Sequence, residues 1–351
     1  MASLKVFYED SLRKYDFGPG HPFRGSRFTD FMRFFKENEL DRLLGVEVLS
    51  FRPPRPGDEE LLRVHSREYI DLVKRMSKTG FGSLSPDTPA FKGMYEAALT
   101  VVHSALSAGK AVLEGEEVAV GFGGLHHAGR DYGEGFCIFN DVAILARFLQ
   151  ENGLKKVFIF DYDAHQGNGT MDIFYEDPTV FYLSVHQDPR YLYPGIGFTW
   201  EIGRGRGKGY TCNVPLPPGA GLKCYRVVFE RVVEPLVKEF NPDVIIANGG
   251  CDPHFLDPLT DLGLNMQGFY EIGSFIRRLA RENKCKAVDL IVSGYNPEII
   301  PKAWSMLIGG LAGANPGFKD PHQPVEEPYV IRQTERVIKE VKEYLSGYWS
   351  L

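Results

Sequence analysis

The stretch Lys156-Val157-Phe158-Ile159-Phe160-Asp161-Tyr162-Asp163-Ala164-His165 decides how this chain reads. Residues 157–160 are apolar, β-prone and few, as in a buried strand. Asp161, Asp163 and His165 follow at alternate positions, where an extended backbone points side chains the same way. Two carboxylates and an imidazole at a strand's end suit metal binding better than packing. Other apolar runs end in equally polar groups. Val118-Ala119-Val120-Gly121-Phe122 leads into Gly123-Gly124-Leu125-His126-His127, Val244-Ile245-Ile246-Ala247 leads to Asp252, and 288–292 leads to Tyr295.

Working outward, strand-like segments at 118–122, 157–160, 180–185, 244–247 and 288–292 alternate with helix-like ones. Helical spacing covers 141–149, 225–240, 268–283 and 328–345. Pro235 predicts a kink or break in the second of these. The alternation predicts an α/β fold: one domain over 1–351, a mostly parallel multi-stranded sheet, helices on both faces and long loops at the strand carboxyl ends. Pro/Gly-rich loops are expected at 16–28, 80–91, 188–209 and 297–324, where rims and lids reside. The run 203–209 lacks P-loop spacing and reads as a basic turn.

With 351 residues, 43% hydrophobic and 25% charged, the composition is that of a globular protein with a large core. A net charge of −6 argues against direct nucleic-acid binding. Cys137, Cys212, Cys224, Cys251 and Cys285 are odd in number and contain no CxxC, so reduced thiols are expected. The start, 1–8, lacks the features of a signal peptide. No run reaches the roughly 18 apolar residues of a membrane span. A cytoplasmic protein without membrane contact is expected, its oligomeric state open.

In open α/β sheets ligands gather at strand carboxyl ends. A catalytic zinc takes three protein ligands and leaves a position open; Asp163, His165 and Asp252 fit that count. Their oxygen-rich donor set leaves Fe2+ a competitor of Zn2+. Such an ion acidifies bound water and polarises a carbonyl. His126 and His127 are then available as general base and acid, with Asp161 and Asn168 as candidates to orient them. Tyr295 is placed to donate a hydroxyl to a developing oxyanion.

These residues carry a resemblance. The chain resembles the zinc-dependent histone deacetylases and their bacterial and archaeal relatives, the acetoin-utilisation-type and acetylpolyamine amidohydrolases of the arginase/deacetylase superfamily. The matching stretches are Gly123-Gly124-Leu125-His126-His127-Ala128, Gly135-Phe136-Cys137-Ile138-Phe139-Asn140-Asp141, Asp161-Tyr162-Asp163-Ala164-His165-Gln166-Gly167-Asn168-Gly169, Gly250-Cys251-Asp252 and Ser293-Gly294-Tyr295. They run in family order from Tyr15-Asp16-Phe17-Gly18-Pro19-Gly20-His21-Pro22 onward, so the resemblance covers nearly the whole chain.

It implies that Asp163, His165 and Asp252 bind zinc, that His126 pairs with Asp161 and His127 with Asn168, and that Tyr295 stabilises a tetrahedral intermediate. Gly135 and Phe136 would line an acyl-lysine channel. Asp87 would sit at its rim and Arg27 below the site. Asp161, Asp163, His165, Ser184 and Val185 match an inner potassium (K+) site. Asn168 stands where many relatives have Asp, implying a less basic histidine. Ser293 replaces a frequent glycine, implying altered loop mobility.

The implied activity is release of acetyl, or a related acyl group, from Nε-acyl-lysine in a protein or peptide by metal-activated water. An acetylated polyamine is the rival substrate. Polyamine-selective relatives tend to carry an acidic gatekeeper seven residues after the last metal-binding Asp, where this chain has Leu259. An arginase-type two-metal site would need a carboxylate at Gly167. A catalytically weak acyl-lysine binder is the remaining alternative, and the presence of Tyr295 and both histidines speaks against it.

Overall fold

Burial of the short apolar runs organises the chain around one sheet. The computed structural model describes residues 3–351; Met1 and Ala2, the head of the stretch read for a signal peptide, lie outside the described residues. The strands are β1 (Leu4–Phe7), β2 (Val46–Leu49), β3 (Ser83–Ser85), β4 (Thr88–Pro89), β5 (Val118–Gly121), β6 (Val157–Asp161), β7 (Val180–Gln187), β8 (Thr211–Leu216), β9 (Val244–Gly250) and β10 (Lys286–Ser293). Eight of them form one sheet in the order β2-β1-β5-β10-β9-β6-β7-β8. All its pairs are parallel. β3 and β4 form a separate antiparallel hairpin.

Parallel pairing demands crossover connections, and helices supply them and cover the sheet. Both faces of β5 to β9 are accordingly buried throughout. The order has a consequence for function. β5, β10, β9 and β6 are consecutive in the sheet, so the four polar strand ends picked out in the sequence become neighbours.

Several expectations change in detail. β6 stops at Asp161, and Asp163 and His165 lie in the bent segment beyond it. Their common orientation therefore comes from a turn and not from strand alternation. The expected loop 297–324 contains the helix Ile300–Ala312, nearly all buried; a helix buried all round has no polar face to betray its period. The loop 80–91 holds the β3–β4 hairpin, and 16–28 runs into the helix Ser26–Glu37. Pro235 is accommodated where the helix Leu222–Val228 passes through a π-helical turn, Phe229–Val233, into Glu234–Phe240. All five cysteines are free and buried. No helix among the described residues is long and apolar enough to cross a membrane.

The helix Ile300–Ala312 supports the end of β10. Its fully buried Trp304 donates Nε1–H to the Ser293 carbonyl at 3.0 Å and packs against Phe28, Phe31 and Phe122. Trp304→Ala is expected to lower the unfolding free energy by about 3–5 kcal/mol. Denaturant melts check this, and an unchanged midpoint would contradict it.

Candidate active site

The two-glycine approach to His126 is a matter of space. A Cβ on Gly123 would come within 2.1 Å of Asp141 Oδ2, and Gly124 has φ +114°. Asp141 opens the helix Asp141–Glu151 and accepts the N–H groups of Gly124 and Leu125, each at 2.8 Å. Burial raises its carboxyl to about 6, and those two donors oppose the rise. Asn140 caps the same helix through the Ala143 N–H and donates to the Ala128 carbonyl at 2.9 Å. The histidine loop is thus tied down on both sides of the pair.

Each histidine has its tautomer set from behind. Asp161 Oδ2 lies 2.8 Å from His126 Nδ1, and Asn168 Oδ1 lies 2.7 Å from His127 Nδ1. Both partners are acceptors, so both Nδ1 atoms carry hydrogen. The Nε2 atoms are 3.1 Å apart, which requires a proton between them. His126 holds it: burial pulls its pKa down, but Asp161 and then Asp163 carry it up to about 9. His127 is held well below the usual value by burial, then by the charges of His126 and His165. One imidazole is charged and donates its Nε2–H to the Nε2 of its neutral neighbour.

Asp163, His165 and Asp252 converge beside them, with ligand atoms all within 4.8 Å of one another. His165 Nδ1 donates to Asp252 Oδ2 at 2.9 Å and Asp163 Oδ1 at 3.2 Å. Burial, then the Asp163 charge, push the Asp252 carboxyl up, and against burial the two carboxylates raise His165 to about 10. Two buried carboxylates at this range need a cation to stay ionised. Here protonated His165 supplies the charge, and a divalent ion taking its Nδ1 lone pair would supply it better. The donor set therefore fits the metal expected from the sequence. Ser293 Oγ donates to Asp252 Oδ1 at 2.7 Å, so this serine holds a carboxylate of the candidate metal cluster in place.

Gly167 has no room for a side chain. Its Cβ would meet Asp161 Oδ2 at 2.5 Å, Tyr182 Oη at 2.7 Å and His126 Nδ1 at 2.8 Å. The second carboxylate of an arginase-type site has no place there.

The remaining residues fall around this centre. Phe136 (φ +67°) has its ring 5.9 Å from that of Tyr295 and 4.7 Å from His21. Burial keeps the Tyr295 phenol well above its usual pKa and so protonated, with Arg27 opposing the rise. Arg27 is buried, its guanidinium 5.1 Å from the Tyr295 ring and bonded to the carbonyls of Val292, Pro22 and Arg24. Both line a cavity of about 380 Å³ with His21, Pro297 and Ile300. Asp87 Oδ1 is engaged internally, accepting Thr88 Oγ1–H at 2.9 Å and the Gly135 N–H at 3.1 Å. Leu259 is half-buried, with its N–H donated to Asp257 Oδ1. Asp161 and Ser184 pair in register between β6 and β7, with Val185 next along the strand.

A histone deacetylase domain model matches residues 21–311. The chain belongs to the histone deacetylase family. It is 35% identical to a probable deacetylase of Archaeoglobus fulgidus over 98% of each chain. It is 35% identical to the acetoin utilization protein AcuC of Staphylococcus aureus, over 85% of this chain and 79% of that one. Among solved structures, the HD domain of HDA15 superposes with a TM-score of 0.86 at 26% identity, covering 99% of this chain and 96% of that one. The chain is thus a deacetylase-family hydrolase.

This deacetylase fold also recruits groups that the motifs did not reveal. Tyr193 sets its ring 5.1 Å from that of His127; Tyr193-Pro194-Gly195 inside the long 188–209 loop was the available signal. Asp257 accepts the Tyr295 N–H at 2.7 Å and is itself raised to about 6 by burial. Glu134 accepts a hydrogen bond from Asn168 Nδ2. Gly135 (φ +57°) would place a Cβ 2.4 Å from the His127 ring. Gly135→Ala is therefore expected to cost about 10²-fold in kcat by displacing that ring while leaving the far-UV circular dichroism unchanged. Full activity in the folded variant would contradict the contact.

Proposed function

We propose that residues 1–351 form a single zinc-dependent deacetylase domain acting on Nε-acetyl-lysine, or a related acyl-lysine, in proteins. Asp163, His165 and Asp252 would hold the ion. When bound, it supplies Lewis acidity to a water and to the amide carbonyl. The observation carrying this reading is the His126–His127 pair, backed by Asp161 and Asn168, beside a buried carboxylate–imidazole cluster.

His127 Nε2 accepts the proton of the attacking water and passes it to the departing lysine amine. His126, kept charged by Asp161, contributes fixed positive charge alongside. Tyr295, protonated at working pH, donates to the oxygen on which negative charge develops. Phe136 and Tyr193 are assigned as the walls that pass the lysine stem. Asp161, Asp163, His165, Ser184 and Val185 are retained as the inner potassium site.

Neutral Leu259 favours an acyl-lysine stem. An acetylated polyamine is the rival substrate. Turnover of zinc-loaded protein on matched acetyl-lysine peptides, longer acyl-lysine peptides and acetylated polyamines separates the two. Higher kcat/KM on a peptide is expected, and higher kcat/KM on a polyamine would overturn the lysine assignment. Tyr295→Phe is expected to lower kcat by about 10²–10³-fold with inhibitor affinity retained. A variant of undiminished kcat would remove Tyr295 from the mechanism.

A further inference from the structure

Asn168 leaves His127 with an ambiguous partner. A carboxylate behind an imidazole accepts with either oxygen, so it imposes Nδ1–H whichever way it turns. A carboxamide does not. With Oδ1 toward His127 it selects Nδ1–H and leaves Nε2 free to take a proton. Rotated by half a turn, it presents Nδ2–H, forces the hydrogen to Nε2 and removes the base. The two rotamers have the same shape, so packing alone does not choose between them.

The His126 Nε2–H facing His127 Nε2 at 3.1 Å favours hydrogen on Nδ1 from within the pair, and the orientation of the amide itself is set on its other side. Asn168 Nδ2 donates to Glu134 Oε1, while Asn168 Oδ1 faces His127 Nδ1 at 2.7 Å. An ionised carboxylate only accepts, so beside Glu134 the amide must present Nδ2 and leave Oδ1 for His127. The Glu134 backbone is itself anchored, its carbonyl accepting the Cys137 N–H at 2.9 Å. Its neighbour Gly135 lies against the His127 ring.

We infer that Glu134 is a positioning residue that fixes the Asn168 amide and, through it, the catalytically competent tautomer of His127. The carboxylate found directly behind this histidine in many relatives is here moved one residue outward, with Asn168 as the connector. The inference rests on the proposed role of His127 as base, but its primary readout is the tautomer and needs no turnover.

The test combines nitrogen-15 NMR of the histidine rings with a double-mutant cycle. Wild-type His127 should show hydrogen on Nδ1 alone. In Glu134→Gln, whose amide tolerates either rotamer of Asn168, His127 should become a mixture of tautomers. There kcat should fall about 10-fold with KM unchanged, less than the ~10²–10⁴ that a general base contributes, because part of the population stays competent. In the Asn168→Asp background the orienting group is not needed and its carboxylate faces a second one, so Glu134→Gln should there cost no activity and relieve that repulsion. A wild-type His127 with hydrogen on Nε2 would overturn the inference even if no variant folded. Equal losses from Glu134→Gln in both backgrounds, or an unchanged tautomer in that variant, would do the same. A mixed tautomer with unchanged kcat would leave the orientation standing and refute His127 as the base.

Discussion

Negative charge buried at the carboxyl ends of parallel strands is the constraint on which the rest of this molecule depends. Asp161, Asp163 and Asp252 are all at most 3% exposed and share one small volume. Uncompensated, such groups cost far more than any hydrogen bond returns. Asp161 is answered by His126 and by the Tyr182 hydroxyl at 3.0 Å. Asp163 and Asp252 lean on His165, an arrangement that fits a divalent cation. The sheet order makes this clustering possible, because β5, β10, β9 and β6 bring their ends together. Glycines make it compact: at 123, 135 and 167 any side chain would collide with a histidine or a carboxylate.

The two histidines show how one environment produces two characters. They are adjacent in sequence and equally buried, yet one is driven toward the charged state and the other away from it. The difference lies behind the rings, where one meets a carboxylate and the other an amide. A cation at the neighbouring cluster acts on His127 in the same direction as protonated His165, so the neutral state is favoured from both sides. The pair thus consists of one charged and one neutral imidazole, with His127 Nε2 as the one ring nitrogen left without hydrogen.

The chain's chemistry was legible where polar groups interrupt apolar strands, and its support was not. Asp161, Asp163, His165 and Asp252 stood out because several strand ends carry complementary chemistry, where one such residue alone would read as a helix cap or turn former. Both histidines emerged with the partners that the family resemblance assigned them. Tyr193 and Glu134 escaped because their roles arise from loops folding back over long distances, which no periodicity records. The helix Ile300–Ala312 escaped for the opposite reason, since full burial erased its amphipathic pattern. Ser293 reads in sequence as a matter of loop mobility, whereas its hydroxyl holds Asp252. Asp87, a rim group by resemblance, is tied to Gly135 and Thr88.

The central claim is that the Asp163–His165–Asp252 cluster needs a divalent ion to become a deacetylase site. Its most direct test strips the protein with a chelator and follows acetate release from an acetylated substrate while single divalent ions are titrated back. Negligible activity is expected in the stripped protein, with recovery that saturates at one ion per chain. Undiminished acetate release after stripping, or recovery that requires two ions, would contradict it.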